Sequence, residues 1–184
     1  MLRIVGGQYH GIKLAAPKGD NTRPTTEMVR ESIFNMLQNY EFNGPCLDLY
    51  AGSGALGIEA FSRFSTPGYL VDRSNDAIRA INNNVDKLHA ESQFKIIKST
   101  AHKALILFQE QGIKFSLVFL DPPYLYQNQN SDMDQIIDLG LVEKGTIFVC
   151  QGDQELESSS NSSLDLLKFK KYGKTYIYIY RVEE

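Results

Sequence analysis

The residue types and spacings most suited to chemistry begin with Asp48-Leu49-Tyr50-Ala51-Gly52-Ser53-Gly54-Ala55-Leu56-Gly57, a glycine-rich turn between a short apolar run and a helical pattern. Glycines there let the backbone approach a ligand closely and aim helix N-terminal N–H groups at it. Asp72 closes the next apolar run, twenty residues after Gly52. A carboxylate in that place can accept hydrogen bonds from both hydroxyls of a ribose. Turn and carboxylate together describe an adenosine pocket. The Gly-x-Gly-x-x-Gly spacing fits a dinucleotide site as well as a methyl-donor site, and by itself it also fits a tight turn with no ligand.

Asp121-Pro122-Pro123-Tyr124 separates these readings, because it directly follows the apolar run 115–120, at the strand end where such sheets bind ligands. Two prolines fix the backbone and remove N–H donors, which leaves the Pro122 carbonyl free to face a substrate. An exocyclic amine on a nucleobase is a poor nucleophile, since its lone pair is delocalised into the ring. A carboxylate and a carbonyl accepting its two hydrogens favour the pyramidal, nucleophilic form, and an aromatic ring can stack on the base. Asp121, the Pro122 carbonyl and Tyr124 supply all three. The competing structural role is a rigid loop in which Asp121 caps a helix.

Such residues need a scaffold. Strand-like runs at 46–50, 69–72, 94–97, 115–120 and 146–150 alternate with helical patterns at 55–64, 74–88, 101–110 and 132–139. That alternation predicts a doubly wound, mostly parallel α/β sheet. A further helix is predicted from Thr25, with Val29, Ile33, Met36, Leu37 and Tyr40 on one face, ending before Gly44-Pro45. At the tail, 166–171 and 175–182 are joined only by Tyr172-Gly173-Lys174, which predicts a closing antiparallel hairpin and seven strands in all. The second tail strand has few polar positions on either face and belongs inside the sheet. Residues 1–24 mix glycine, proline, apolar and basic positions and read as a small β-hairpin extension on a domain spanning 25–184.

A chain of 184 residues with 42% hydrophobic content has room for one core. No apolar run approaches the roughly 20 residues of a membrane span, and Met1-Leu2-Arg3-Ile4-Val5-Gly6-Gly7 lacks a secretory pattern, so a cytoplasmic location is expected. Cys46 and Cys150 sit in apolar runs and read as reduced core residues. His10, His89 and His102 are scattered, and no metal is implied. The net charge of −3 argues against a whole-molecule basic field. Residues 1–30 nonetheless carry Arg3, Lys13, Lys18, Arg23 and Arg30 against Asp20 and Glu27, so a polyanion is expected to meet this segment.

The chain resembles the RsmD family of bacterial ribosomal-RNA guanine-N2 methyltransferases. The resemblance covers residues 2 to 182 and rests on Arg3-Ile4-Val5-Gly6-Gly7 through Gly11-Ile12-Lys13-Leu14, on Arg23-Pro24-Thr25 leading to Arg30-Glu31-Ser32-Ile33-Phe34-Asn35, on Leu47-Asp48 through Glu59-Ala60, and on Asp121-Pro122-Pro123-Tyr124. It implies a Rossmann-like class I methyltransferase with S-adenosylmethionine as methyl donor. Asp48, Gly52, Ser53, Gly54 and Asp72 are then its donor-binding residues. Thr100 and Ala101 fall at the adenine contact, where the family often has Asp or Asn before the alanine. Asp121, Pro122 and Tyr124 take the catalytic positions. Arg3, Lys13, Arg23, Thr25, Pro123 and Tyr124 border the substrate, implied to be a guanine of 16S ribosomal RNA in the assembled or assembling small subunit. Two alternatives stand beside this: methylation of a DNA adenine or cytosine amine, and a non-catalytic NAD- or RNA-binding module. The first wants a target-recognition insert for which the chain is short; for NAD there is no second domain to hold a hydride acceptor.

Overall fold

The structure, a computed structural model, describes residues 1–18, 26–123 and 128–184. Arg23, Pro24, Thr25 and Tyr124 lie outside them.

Helix α1 (Glu27–Leu37) begins where the Thr26 hydroxyl accepts the Val29 N–H at 3.2 Å, satisfying a donor that the helix leaves unpaired. The alternation then runs β1 (Cys46–Asp48), α2 (Ala55–Phe64), β2 (Gly68–Asp72), α3 (Asn75–Lys87), β3 (Phe94–Lys98), α4 (Ala101–Glu110), β4 (Phe115–Leu120), α5 (Gln129–Asp138) and β5 (Val142–Gly152). The tail folds as β6 (Leu164–Tyr172) and β7 (Thr175–Val182). All seven strands form one sheet in the order β3-β2-β1-β4-β5-β7-β6, with β7 antiparallel to both its neighbours. β7 lies inside the sheet as its composition predicts, with Ile177 and Ile179 fully buried.

Helices α1, α2 and α3 cover one face and α4 and α5 the other. Phe34, Leu56, Leu117, Phe119, Ile147 and Ile179 meet in one layer of core. Leu47, Leu49, Leu105, Phe108, Val118, Phe148 and Met133 meet in the opposite one. Cys46 and Cys150 are free and buried in these layers, and burial pushes both thiols up from their ordinary range. Strand β5 starts earlier than its apolar run, at Val142, because the Thr146 hydroxyl donates to the Phe115 carbonyl at 2.8 Å and accepts the Glu143 N–H at 3.1 Å across a bulge. Among the described residues no helix is long and apolar enough to cross a membrane.

Among the described residues, the N-terminal segment folds back on itself through the Arg3–Lys13 antiparallel bridge and the backbone bonds Ile4 N–H to Ile12, Gly11 N–H to Ile4 and Leu14 N–H to Leu2. Ile4 and Leu14 are buried against α2, α3 and β2. Glu59 of α2, itself fully buried, accepts the Val5 N–H at 2.9 Å and pairs with Arg30 at 3.4 Å and Arg63 at 2.8 Å. Arg30 reaches on to the Arg3 carbonyl. Arg30 therefore leaves the basic excess counted from sequence: it is fully buried, and its charge is spent inside the fold. Deleting residues 1–22 would open this core rather than trim an arm.

Candidate active site

The parallel strands end on one edge, and the sheet register brings three carboxylates together there. Asp48 is the last residue of β1 and is paired with Leu70 on one side and Phe119 on the other. Asp72 and Asp121 each lie two residues beyond those partners, so they flank Asp48 on the neighbouring strands, one step nearer solvent.

The glycine turn closes over this edge. Gly52 and Gly54 have φ of 57° and 77°, a left-handed conformation costly for residues with a Cβ. A Cβ on Gly52 would meet nothing within 4 Å, so the space above the turn is open. A Cβ on Gly57 would lie 2.3 Å from Leu70 Cδ2. Gly57 is thus required for the close approach of α2 to the sheet, and its N–H donates to Asp48 Oδ2 at 3.1 Å. Asp72 is held on both oxygens by backbone: Gly52 N–H donates to Oδ2 at 2.9 Å and Ser74 N–H to Oδ1 at 2.8 Å. These bonds orient the carboxylate while leaving it partly exposed, with acceptor capacity for a ligand's hydroxyls.

Asp48 is 1% exposed, and its Oδ1 has no hydrogen-bond partner among the described residues. Burial, opposed by the Gly57 N–H and reinforced by the charges of Asp121 and Asp72, pushes its carboxyl up to about 7. A buried acceptor left unmatched costs stability, and three converging carboxylates make a field suited to a cation. The residues present therefore fit a positively charged adenosine-containing donor. As the folded-state value lies above the ordinary 3.8, the ligand-free protein should lose stability as pH rises from about 4 to 7, since the folded state then holds a proton that the unfolded state has released. Donor affinity has the opposite sign. It should increase as pH rises through about 7 and level off above, because ionised Asp48 is the form a cation selects. Asp48→Asn should flatten that profile and raise the melting temperature at pH 8 more than at pH 5; calorimetric titrations and melts across pH check both.

Two residues that position the site carry no motif. Asn84 of α3 is fully buried; its amide donates to the Ser53 and Ala15 carbonyls, both at 2.9 Å, while its oxygen accepts the Ala15 N–H at 2.6 Å. It ties the glycine turn to the N-terminal segment. Gln129, 2% exposed, donates to the carbonyls of Leu120 at 3.1 Å and Gln151 at 2.6 Å, fixing the ends of β4 and β5 next to Asp121. Their signal is faint: one amide among Asn82-Asn83-Asn84, another among Gln127-Asn128-Gln129-Asn130.

Pro122 and Pro123 follow Asp121 at the surface, Pro123 exposed. Thr100 is exposed at the N-cap of α4, next to Ala101, near the Asp72 end of the neighbouring strand. Arg3 and Lys13 share one face of their bridge and are exposed, with Arg3 paired to Glu27 at 3.1 Å. The structure thus brings Asp48, Gly52, Ser53, Gly54, Asp72 and Asp121 to one edge, while Arg3 and Lys13 lie on the N-terminal segment. Arg23, Thr25 and Tyr124 are outside the described residues.

A seven-stranded sheet of this order, with its glycine turn after β1 and carboxylate after β2, is the Rossmann-like fold of class I methyltransferases. The chain belongs to the family described as "Conserved hypothetical protein 95", whose pattern matches residues 2–181. It is 35% identical over 181 residues to the "Putative rRNA methyltransferase YlbH" of Bacillus subtilis (strain 168), covering 98% of each chain. It is also 34% identical to the "Ribosomal RNA small subunit methyltransferase D" of Escherichia coli (strain K12), over 80% of this chain and 73% of that one. Among solved structures, "Putative methyltransferase yhhF from Escherichia coli" superposes with a TM-score of 0.85 at 30% identity, covering 99% of this chain and 98% of the other. The expected RsmD kinship is therefore a property of the chain.

Proposed function

We propose that this protein transfers a methyl group from S-adenosylmethionine to the exocyclic N2 amine of a guanine in 16S ribosomal RNA. The observation that carries this reading is the trio of strand-end carboxylates around an open glycine turn, with an unmatched Asp48 oxygen and Asp121-Pro122-Pro123 beside it. The names of the relatives, ribosomal RNA and small-subunit methyltransferases, support the choice of substrate.

When bound, S-adenosylmethionine supplies a methyl carbon on a positively charged sulfur. Asp72 would hold the ribose hydroxyls, Gly52, Ser53 and Gly54 would let the backbone approach, and Thr100 and Ala101 would border the adenine. Asp48 would face the positive charge. Asp121 and the Pro122 carbonyl would each accept a hydrogen of the guanine amine and turn its lone pair toward the methyl carbon, while Tyr124 stacks on the flipped base. In transfer the nitrogen would gain the methyl as the carbon–sulfur bond breaks with its electron pair left on sulfur, and Asp121 or water would take the proton that the nitrogen loses. Catalysis here is positioning and electrostatics. Asp48, Asp72 and Asp121 would attract a positively charged donor more than its neutral product, which would favour product release.

Residues 1–24 would serve as the RNA-contacting extension through Arg3, Lys13, Arg23 and Thr25, with Pro123 at the substrate mouth. Because the chain is acidic overall, an assembling or assembled small subunit, whose proteins add contacts, is the proposed partner, encountered in the cytoplasm. Asp72→Ala should weaken donor binding by about 1 to 3 kcal/mol, the range for lost charge-assisted hydrogen bonds, and isothermal titration measures it. The reading itself is tested by offering labelled S-adenosylmethionine with 16S ribosomal RNA, small subunits or DNA as acceptor. Label should enter RNA, alone or in the subunit; label entering DNA alone, or titration showing NAD binding and no response to the methyl donor, overturns it.

A further inference from the structure

The β6–β7 hairpin ends on the same sheet edge as Asp121, since β6 runs in the direction of the parallel strands and β7 returns from that edge. Its strands β7 and β6 lie two and three strand positions from β4, about 10 and 15 Å at the usual strand spacing, on the side away from Asp72. Residues 166–182 hold Lys168, Lys170, Lys171, Lys174 and Arg181 and no acidic residue, in a chain of net charge −3.

Side chains divide this charge usefully. Lys168 is engaged, donating to the Met36 carbonyl at 3.1 Å, and Arg181 is paired with Asp165 and Glu183. Lys170, Lys171 and Lys174 are exposed. Beside them Phe169 is 46% exposed, its ring 4.9 Å from that of Tyr178, and Lys171 Nζ stands 4.6 Å from the centre of the Tyr176 ring. Glu155 lines the groove onto which Phe169 and Tyr178 open and acts on Lys171, whereas Glu31 lines the groove on the opposite sheet face, with Lys168 and Lys170. Cations on both faces of an edge strand, beside a half-open aromatic ring, suit a single-stranded nucleic acid that wraps the edge through phosphate contacts and base stacking.

We propose that the tip and outer edge of the β6–β7 hairpin form a second RNA-docking surface, with Lys170, Lys171 and Lys174 on phosphates and Phe169 under a base. The proposal rests on the RNA substrate proposed above. It places RNA across the sheet edge, anchored on the hairpin on one side of Asp121 and on Arg3 and Lys13 on the other. The competing role of these lysines is to keep an open edge strand from pairing with another chain, and the two roles separate experimentally.

The test compares the full chain with a K170Q/K171Q/K174Q variant, with F169A, and with a charge-matched control, K95Q/K103Q/K144Q, at exposed sites elsewhere. Affinity for protein-free 16S ribosomal RNA is measured by filter binding across salt, beside methyl transfer, donor titration and sedimentation. The triple hairpin variant should lose tenfold or more in RNA affinity, with the slope of log affinity against log salt smaller by about 2. F169A should lose affinity with the slope unchanged. Donor affinity should stay constant, both variants should stay monodisperse, and the control should match the parent. A parent that binds and methylates RNA beside a hairpin variant with the same affinity and slope overturns the docking surface alone. A hairpin variant that only self-associates assigns the lysines to edge protection and overturns it too. A parent that neither binds nor methylates this RNA, protein-free or within the small subunit, overturns the substrate reading along with it.

Discussion

Asp121→Ala should lower the rate of methyl transfer by about a hundredfold or more, as when a positioned acceptor acting on developing charge is removed, and leave donor affinity close to that of the parent. The reason is placement. Asp121 follows β4, on the side of Asp48 opposite Asp72, so in the proposed site it would face the acceptor while Asp72 and the glycine turn would face the donor. Its charge also contributes to pushing the Asp48 carboxyl up. Removing it should therefore move the midpoint of the donor-affinity pH profile to lower pH whatever part Asp121 plays in transfer, and the rate per folded molecule is what separates a positioned acceptor from a loop cap. Single-turnover rates, melting curves and pH-dependent titrations of the same variant separate the possibilities. A variant destabilised by about 1 kcal/mol, as when a cap is lost, but fully active per folded molecule would remove Asp121 from the mechanism.

Glu59→Ala should cost about 3 to 5 kcal/mol of stability, the range for removing one partner of a buried ion pair. Burial pulls the Arg30 guanidinium down from its ordinary value, and Glu59 is the largest influence holding it up. Without Glu59, Arg30 is left buried near the positive Arg63, and the Val5 N–H loses its acceptor. The N-terminal segment should then loosen, seen as faster amide exchange at Ile4 and Leu14, both buried against α2 and α3. Chemical denaturation gives the stability change. A loss under 1 kcal/mol would mean that water or another group compensates Arg30.

Sequence pattern was sufficient where a structural need is local. The glycine turn and Asp72 are legible because close backbone approach demands particular residues at fixed spacing, and β7 because a strand covered on both faces must be apolar throughout. Asn84 and Gln129 were not, since each reconciles backbone groups brought together only by the fold: Ala15 with Ser53, and Leu120 with Gln151. The same holds for Arg30. An arginine among other basic residues reads as surface charge, and only packing against Glu59 shows that it is core. The depth to which the N-terminal segment is packed is not legible for a related reason: its apolar residues are too widely spaced to signal a buried face, yet Ile4 is fully covered and Leu14 buried by helices that come later in the chain.

The central claim, methylation of a guanine N2 amine in 16S ribosomal RNA, is met most directly by identifying the product. Small subunits from a strain lacking this protein are incubated with the purified chain and tritiated S-adenosylmethionine, and the RNA is digested to nucleosides and separated. Label is expected in N2-methylguanosine, present with the parent chain and nearly absent with Asp121→Ala. Label in N6-methyladenosine or N4-methylcytidine, or in ribosomal protein with none in RNA, would contradict it.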